Sequence, residues 1–471
     1  MSQKRPSRIA IAGALGVLLL ASAAPGHAVS FEDAGVDDEL WVDRYDPGPD
    51  RNAAGLEPFV APDGSTLYAV GVVTSYEATF YRVVAFDPAT GRQQWAVERL
   101  GAVNAAALSS DGSRIYLAGF TRTDDVTYQD WLVVALDASS GEQLWTTTYE
   151  QPGRRDLPND IAVSPDGTRV HVAGRSRELK RRSQDFTVLT LDSVTGDEMW
   201  ADLHDGPDGR YDEAFGVAVD PGGERLYVTG MVAVGDTETF GHPDTDYATI
   251  AYDAATGRRH WFTGFGGPGR KYSSDIPVAV VADDSAVYVT GQSTGPRDDP
   301  DWFTAGLEAR FGGELWTARY NRARGSEDAP YSMALSPSGD RVYVTGASAV
   351  RQFDGVTIAY RTLNGSPDWT ARFGRRGGTD FGWDVAASPD GERVYVTGVI
   401  FDPASLVQDF VTLGYSERDG SEEWSATYGG GDADDLPTVA VQPDSARVFL
   451  VGREWDDGDI IFETVAYEPP R

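Results

Sequence analysis

Residues 251–261 read AYDAATGRRHW: a short strand, a turn that ends in glycine, and a tryptophan four residues after that glycine. A short loop closed by a left-handed glycine is typical of a β-hairpin, so the tryptophan begins a new strand. The same interval recurs at Gly91/Trp95, Gly141/Trp145, Gly196/Trp200, Gly312/Trp316, Gly365/Trp369 and Gly420/Trp424. The chain is therefore built from an internal repeat.

A second hairpin precedes this one in each repeat. Its turn, for example Ser164-Pro165-Asp166-Gly167, combines residues that favour tight turns, and alternating stretches flank it. The later stretch ends in a glycine at Gly71, Gly119, Gly174, Gly230, Gly291, Gly346, Gly398 and Gly452. Four strands per repeat of about 50 residues, with no long helical period, predict the blades of an all-β propeller.

The two ends of the chain complete one repeat between them. The last repeat stops at Arg471 without its tryptophan strand, and an orphan tryptophan strand, Trp41-Val42-Asp43-Arg44-Tyr45, precedes the first repeat. Pairing the two removes the open sheet edges that invite aggregation. We therefore expect residues 41–471 to form a single eight-bladed β-propeller of four-stranded antiparallel blades, closed by the N-terminal strand.

The repeated tryptophans are interpreted as packing wedges. Burial of one indole removes about 150 to 250 Å² from water, and a feature present in every repeat usually belongs to the architecture. A catalytic or cofactor-binding role for them is the alternative. His171 occupies the position that Tyr116 and Tyr227 occupy in other repeats, so we expect it to be a core aromatic.

The composition excludes several kinds of site. The 471 residues contain no cysteine, which rules out disulfides, zinc–thiolate sites, iron–sulfur clusters and a cysteine nucleophile. The net charge is -33, from 73 acidic and 40 basic residues. Such a surface repels phosphate backbones and anionic lipids, so neither nucleic acid nor a membrane surface is an expected partner. Cations, basic proteins and neutral sugars remain.

Residues 1–28 have the pattern of a secretory signal peptide. Basic residues precede a long apolar run, and Gly26 and Ala28 place small residues before a cut at Val29. A retained signal anchor is the alternative. We expect a secreted, extracytoplasmic protein with an acidic leader at 29–40 and no membrane insertion after cleavage.

The string Ala-x-Asp-x-x-Thr-Gly-x-x-x-Trp, complete at 85–95 and 251–261, resembles the repeat of pyrroloquinoline-quinone (PQQ) type propellers. The wider pattern from Asp246 to Gly291 resembles the bacterial SBBP β-propeller repeat. Quinone-dependent members of the first family are periplasmic dehydrogenases with a calcium-bound cofactor, and the alcohol-oxidising ones have a vicinal cysteine pair. This chain has no such pair, and its later repeats replace the turn aspartate with Glu308, Arg361 and Ser416. The resemblance implies the fold, and we carry over no catalytic base or calcium ligand.

Two columns of aspartates recur at the end of the ring where the chain enters each innermost strand. One column is Asp130, Asp185, Asp246, Asp301, Asp354 and Asp409. The other is Asp156, Asp212, Asp328, Asp380 and Asp434. The second column is a candidate acidic rim for calcium or a cationic ligand. Alternatively, each aspartate ties down its own loop or pairs with loop arginines such as Arg155, Arg210, Arg324 and Arg376.

The repeat is broken in its third and fourth units, where binding residues are more often found. The candidate binding residues there are Arg175, Arg177, Lys180, Arg181, Arg182, His204 and His242. A basic cluster in a strongly acidic protein suggests contact with an anion, a uronic acid or a protein. A solvated charged loop is the alternative.

Two motif matches are interpreted as turns. Residues 291–295, GQSTG, match the hydrolase elbow G-x-S-x-G, but an elbow requires a strand-to-helix turn. Residues 456–459 are too short for a calcium loop.

Three functions remain open. We favour a scaffold that binds an envelope or extracellular protein or a glycan through loops on one face, with no cofactor. A PQQ-type or other oxidoreductase is the first alternative. A hydrolase or lyase acting on exported carbohydrate is the second.

Overall fold

The computed structural model describes residues 39–48, 50–122, 129–150, 154–178, 183–207, 210–234, 244–268, 274–296, 299–375, 377–402, 407–429, 432–456 and 459–470. The proposed signal peptide lies outside the described residues. Within them, no helix is long and apolar enough to cross a membrane.

The regular elements are strands. The first sixteen are β1 (Glu39–Tyr45), β2 (Arg51–Val60), β3 (Leu67–Ser75), β4 (Thr79–Phe86), β5 (Gln93–Leu100), β6 (Ala102–Leu108), β7 (Arg114–Arg122), β8 (Gln129–Asp137), β9 (Gln143–Tyr149), β10 (Arg154–Val163), β11 (Arg169–Glu178), β12 (Ser183–Asp192), β13 (Glu198–His204), β14 (Glu213–Val219), β15 (Arg225–Ala233) and β16 (Thr245–Asp253). The remaining sixteen are β17 (Arg259–Phe265), β18 (Ile276–Ala282), β19 (Ala286–Thr294), β20 (Pro300–Glu308), β21 (Glu314–Tyr320), β22 (Glu327–Leu335), β23 (Arg341–Ala349), β24 (Phe353–Arg361), β25 (Pro367–Phe373), β26 (Phe381–Ala387), β27 (Arg393–Asp402), β28 (Val407–Ser416), β29 (Glu422–Tyr428), β30 (Asp432–Val441), β31 (Val448–Asp456) and β32 (Asp459–Tyr467).

These strands form eight antiparallel four-stranded blades, as the repeat predicts. Blades 1 to 7 take consecutive groups of four strands from β2 to β29, and blade 8 combines β30, β31 and β32 with β1. One parallel bridge, between Arg155 of β10 and Gln129 of β8, joins blades 2 and 3 into an eight-stranded sheet. We call the side of the ring where each innermost strand begins the loop face.

The N-terminal strand closes the ring. β1 runs antiparallel to β32, with Trp41 opposite Ala466. The innermost strand of each blade contacts that of the next, and β2 of blade 1 also contacts all three C-terminal strands of blade 8. The predicted closure is confirmed.

The glycine near the end of the second strand recurs in every blade for a steric reason. Each inner strand carries a bulge opposite this glycine, for example between Pro158 and Asp160 opposite Gly174. A Cβ at Gly174 would overlap the carbonyl oxygen of Leu157, and a Cβ at Gly398 would overlap that of Phe381. Glycine therefore allows the bulge, which re-aims the side chains that follow it.

The tryptophans are wedges between blades. The Trp200 ring packs on His171 of its own blade and against the Gly257 turn of the next blade, and its Nε1–H donates to the carbonyl of Ala254 at 3.1 Å. Trp41 repeats this arrangement across the closure, donating to Pro88 at 3.0 Å. His171 is fully buried, and desolvation lowers its pKa to about 3, so it is a core aromatic.

Candidate functional site

The proposed acidic rim is not exposed in the described residues. Its members Asp156, Asp212, Asp328 and Asp380 have no exposed surface. The Asp212 carboxylate accepts the N–H of Ala233 at 2.8 Å and also that of Gly206. These aspartates therefore hold the loop into each innermost strand against the end of the second strand, which agrees with the loop-tying interpretation. The side chain of Asp434 lies outside the described residues.

Blade 5 contains a member of this column that the sequence spacing missed. Asp275 is fully buried, and its carboxylate accepts the N–H groups of Gly267 and Thr294. The turn between β18 and β19 is two residues shorter than its counterparts, so counting back from Gly291 reaches the wrong position. The short turn itself was the available signal.

Several aspartates of the other column pair with basic side chains of the same face. Asp301 lies 3.7 Å from Arg319, and Asp409 lies 3.5 Å from Arg375. Asp354 pairs with Arg322. These arginines differ from the loop arginines that the sequence suggested, although the pairing is of the expected kind.

The structure brings a different set of carboxylates to the axis of the ring. Glu57, Asp160 and Asp384 follow the bulge on three innermost strands and are half-buried. Asp160 accepts the N–H of Val217 at 2.8 Å, and Asp384 accepts that of Val439 at 2.9 Å. Asp160 and Asp384 thus each accept a backbone N–H from the innermost strand of the next blade, which would otherwise be an unpaired donor at a sheet edge.

Burial shifts the titration of these axial carboxylates. Desolvation, followed by repulsion from Asp160 and Asp384, raises the pKa of Glu57 to about 8. Desolvation raises the pKa of Asp160 to about 6 and also raises that of Asp384. Sequence reasoning missed these residues because their position depends on a bulge that the repeat pattern does not reveal.

The structure describes part of the predicted basic cluster, which begins with an ion pair between the half-buried Arg175 and the buried Glu213. Both Glu213 oxygens lie 2.8 Å from Nη1 of Arg175. The same carboxylate accepts hydrogen bonds from Asn159 and Gln184, and Glu213 is only 2 % exposed. Arg175 therefore fastens blade 3 to blade 4.

Arg177 has a different environment. It is half-buried, its Nε has no hydrogen-bond partner, and its partner across the sheet is the exposed Arg155. No described carboxylate pairs with Arg155 or Arg177, whereas Arg175 beside them is neutralised by Glu213. Two like charges therefore face one another at the loop face. Lys180, Arg181 and Arg182 lie outside the described residues.

Of the two candidate histidines, the structure describes His204. His204 ends β13, and its Nδ1 lies 3.0 Å from Nη1 of Arg259. Burial and the Arg259 charge lower the pKa of His204. His242 lies outside the described residues.

The motifs interpreted as turns have no catalytic geometry in the described residues. Gln292, Ser293 and Thr294 continue β19 and pair with β20, so no helix follows as an elbow requires. Ser293 Oγ accepts a hydrogen bond from Arg319. Residues 457 and 458 of the second motif lie outside the described residues.

A calcium-bound quinone does not fit the described residues. They contain no group of three or more histidine, aspartate or glutamate side chains that could hold a metal ion. The chain also lacks the cysteine pair of the alcohol-oxidising quinoproteins. We therefore derive no step through such a cofactor.

The fold and its closure define a class, the eight-bladed propellers with four antiparallel strands in each blade. A family profile described as "Outer membrane protein assembly factor BamB" matches residues 79–295 and 185–381, more than half of the chain. The chain belongs to this family of PQQ-like β-propeller repeats. No curated protein sequence matches it.

Solved structures support the same fold. A europium-containing methanol dehydrogenase is 13% identical with a TM-score of 0.57, over 91% of this chain and 93% of that chain. Quinohemoprotein alcohol dehydrogenase from Comamonas testosteroni is 11% identical with a TM-score of 0.56, over 93% and 78%. BamB from Moraxella catarrhalis is 14% identical with a TM-score of 0.50, over 91% and 99%. Identities this low carry the propeller fold alone.

Proposed function

We propose that this protein is an exported binding scaffold that holds a protein or a glycan of the cell envelope at the loop face of blades 3 and 4. The observation that carries the proposal is the Arg155–Arg177 pair, which has no described counter-charge in a chain of net charge -33. Like charges directly opposite one another on a sheet are destabilising. A bound anionic group would relieve that repulsion.

The use of the repeated residues supports a binding role. Tryptophans, glycines and buried aspartates at equivalent positions all serve the frame, so they are not available for a ligand. The sequence repeat is interrupted at the loop face of blades 3 and 4, and binding residues in rigid repeat folds are concentrated at such variable positions. Export follows from the proposed signal peptide at residues 1–28.

The test is retention of ligands on immobilised mature protein, residues 29–471. Solubilised envelope proteins and isolated envelope glycans are applied separately to the unmodified protein and to R155Q/R177Q. The matched control is R310Q/R418Q, which removes the same charge from exposed turns on the opposite side of the ring.

We expect a retained partner in one of the two arms, lost with R155Q/R177Q and kept with R310Q/R418Q. Equal retention by both double variants, loss only with R310Q/R418Q, or retention in neither arm would contradict the proposal. Circular dichroism spectra of all three proteins exclude misfolding as the cause.

A further inference from the structure

The Arg155–Arg177 pair belongs to a polar row that crosses the loop end of blade 3. Backbone pairing places Gln129, Arg155, Arg177 and Gln184 side by side on neighbouring strands. Residues paired directly across a sheet project from the same side, with Cβ atoms about 5 Å apart. The row therefore contains two guanidinium groups between two glutamines, of which Gln184 is buried and donates its amide to Glu213.

The strand alternation separates the charges of this blade end. Arg155, Arg175 and Arg177 project from the side that faces blade 4, where Arg175 reaches Glu213. Asp156 and Asp185, which flank Ser176 in the pairing, project from the other side. These two carboxylates are thus directed away from the arginine row.

The nearest carboxylates of blade 4 are already committed. Glu213 receives hydrogen bonds from Arg175, Asn159 and Gln184. Asp212 accepts two backbone N–H groups of its own blade. Neither of these two carboxylates therefore pairs with Arg155 or Arg177, since Glu213 is held by Arg175.

The pair is specific to blade 3 among the blades whose pairing is described at this position. The equivalent pair is Glu327 with Ala349 in blade 6, Asn52 with Thr74 in blade 1 and Asp432 with Trp455 in blade 8. A repulsive pair that the repeat does not require is better explained by a ligand than by the frame.

We infer that this row binds the carboxylate of a monoanionic acidic sugar, a uronate; this rests on the proposed function and names its ligand class. Planar guanidinium groups match the two oxygens of a carboxylate. The amide of the half-buried Gln129 beside them can bond a hydroxyl group of a sugar ring. A ligand with one charge also meets less repulsion from a protein of net charge -33 than an acidic peptide with several.

Isothermal titration calorimetry with sodium glucuronate tests the inference. We expect saturable binding that weakens as salt is raised and falls at least tenfold in R155Q/R177Q, while R310Q/R418Q binds like the unmodified protein. The variant R155K/R177K keeps the positive charge but loses the planar guanidinium groups that bond both carboxylate oxygens, so we expect intermediate affinity. Glucose should not bind detectably.

Other ligands provide the contrary outcomes. Tighter binding of an aspartate-rich peptide or of inorganic phosphate than of glucuronate would overturn the sugar assignment, as would glucuronate binding that survives in R155Q/R177Q. No glucuronate binding, together with an envelope protein that still needs Arg155 and Arg177, would overturn this inference and leave the proposed function standing. If glucuronate does not bind and no envelope partner depends on Arg155 and Arg177, both this inference and the proposed function are overturned.

Discussion

At the scale of single residues, acidic side chains in this propeller act largely as acceptors for backbone N–H groups. Asp380 accepts the N–H groups of Arg375 and Phe401, and desolvation raises its pKa to about 7. Asp160 does the same for Val217 on the neighbouring blade. Burial of these carboxylates opposes ionisation, so part of the frame is sensitive to pH.

The replacement Glu57→Gln tests that sensitivity. The pKa of Glu57 is raised from 4.5 to about 8 in the fold, so the native state holds a proton that the unfolded chain releases between these values. Stability is therefore present below pH 4.5 and is lost as pH rises through about 8. Urea unfolding should show E57Q more stable than the unmodified protein at pH 9 by about 1 to 2 kcal/mol, a value reduced for the partial exposure of the side chain.

The matched control is Glu327→Gln, an exposed glutamate on another innermost strand. Its pH profile should follow that of the unmodified protein. If E57Q showed no gain between pH 5 and pH 9, the axial carboxylate would not be the titrating group.

At the scale of the element, the turn and the tryptophan form one unit spread over two blades. Gly257 has a φ of +70°, and a Cβ there would lie 2.6 Å from the Trp200 ring. Gly391 has nearly the same conformation, with a φ of +72°, but its Cβ would meet nothing within 4 Å. Substitutions at these two glycines therefore separate the cost of backbone strain from the cost of displacing the tryptophan.

We expect Gly391→Ala to cost about 1 to 2 kcal/mol from the left-handed backbone alone. Gly257→Ala should cost a further ~1 to 3 kcal/mol, because the wedge must also move. Urea unfolding of the two variants measures the difference. Equal losses would show that the indole does not need the glycine.

These local units are the part of the structure that sequence reasoning predicts best. The turn residues, Gly257 and Trp261 are close together in the sequence, so one short segment contains everything needed to predict this turn and the strand after it. Asp275 was missed because a turn shortened by two residues broke the count. The sequence identifies Arg155 only as a loop cation, because its position opposite Arg177 depends on the register of β10 and β11, which a bulge also alters.

At the scale of the whole molecule, the ring is sealed without covalent bonds. Trp41 packs on Phe449 of blade 8 and on Phe86 of blade 1. Arg44 pairs with Glu454 and Glu463, which are buried on β31 and β32. The orphan tryptophan strand and the missing fourth strand of the last repeat are visible in the sequence, so the closure was predictable. The burial of Glu454 and Glu463 beside Arg44 was not.

The last prediction concerns removal of this seal. A chain that begins at residue 46 lacks β1, which uncovers the edge of β32 and removes Arg44, which pairs with two buried carboxylates. Loss of the Trp41 contacts alone costs up to about 4 to 6 kcal/mol. We expect this chain to unfold at lower urea and to self-associate through the open edge in size-exclusion chromatography with light scattering. A chain that begins at residue 39 keeps β1 and should match residues 29–471 in molecular mass and stability. Addition of a synthetic peptide of residues 39–45 should reverse the self-association, since the peptide supplies the fourth strand of blade 8. A shortened chain with unchanged molecular mass and stability would mean that β1 does not hold the ring together.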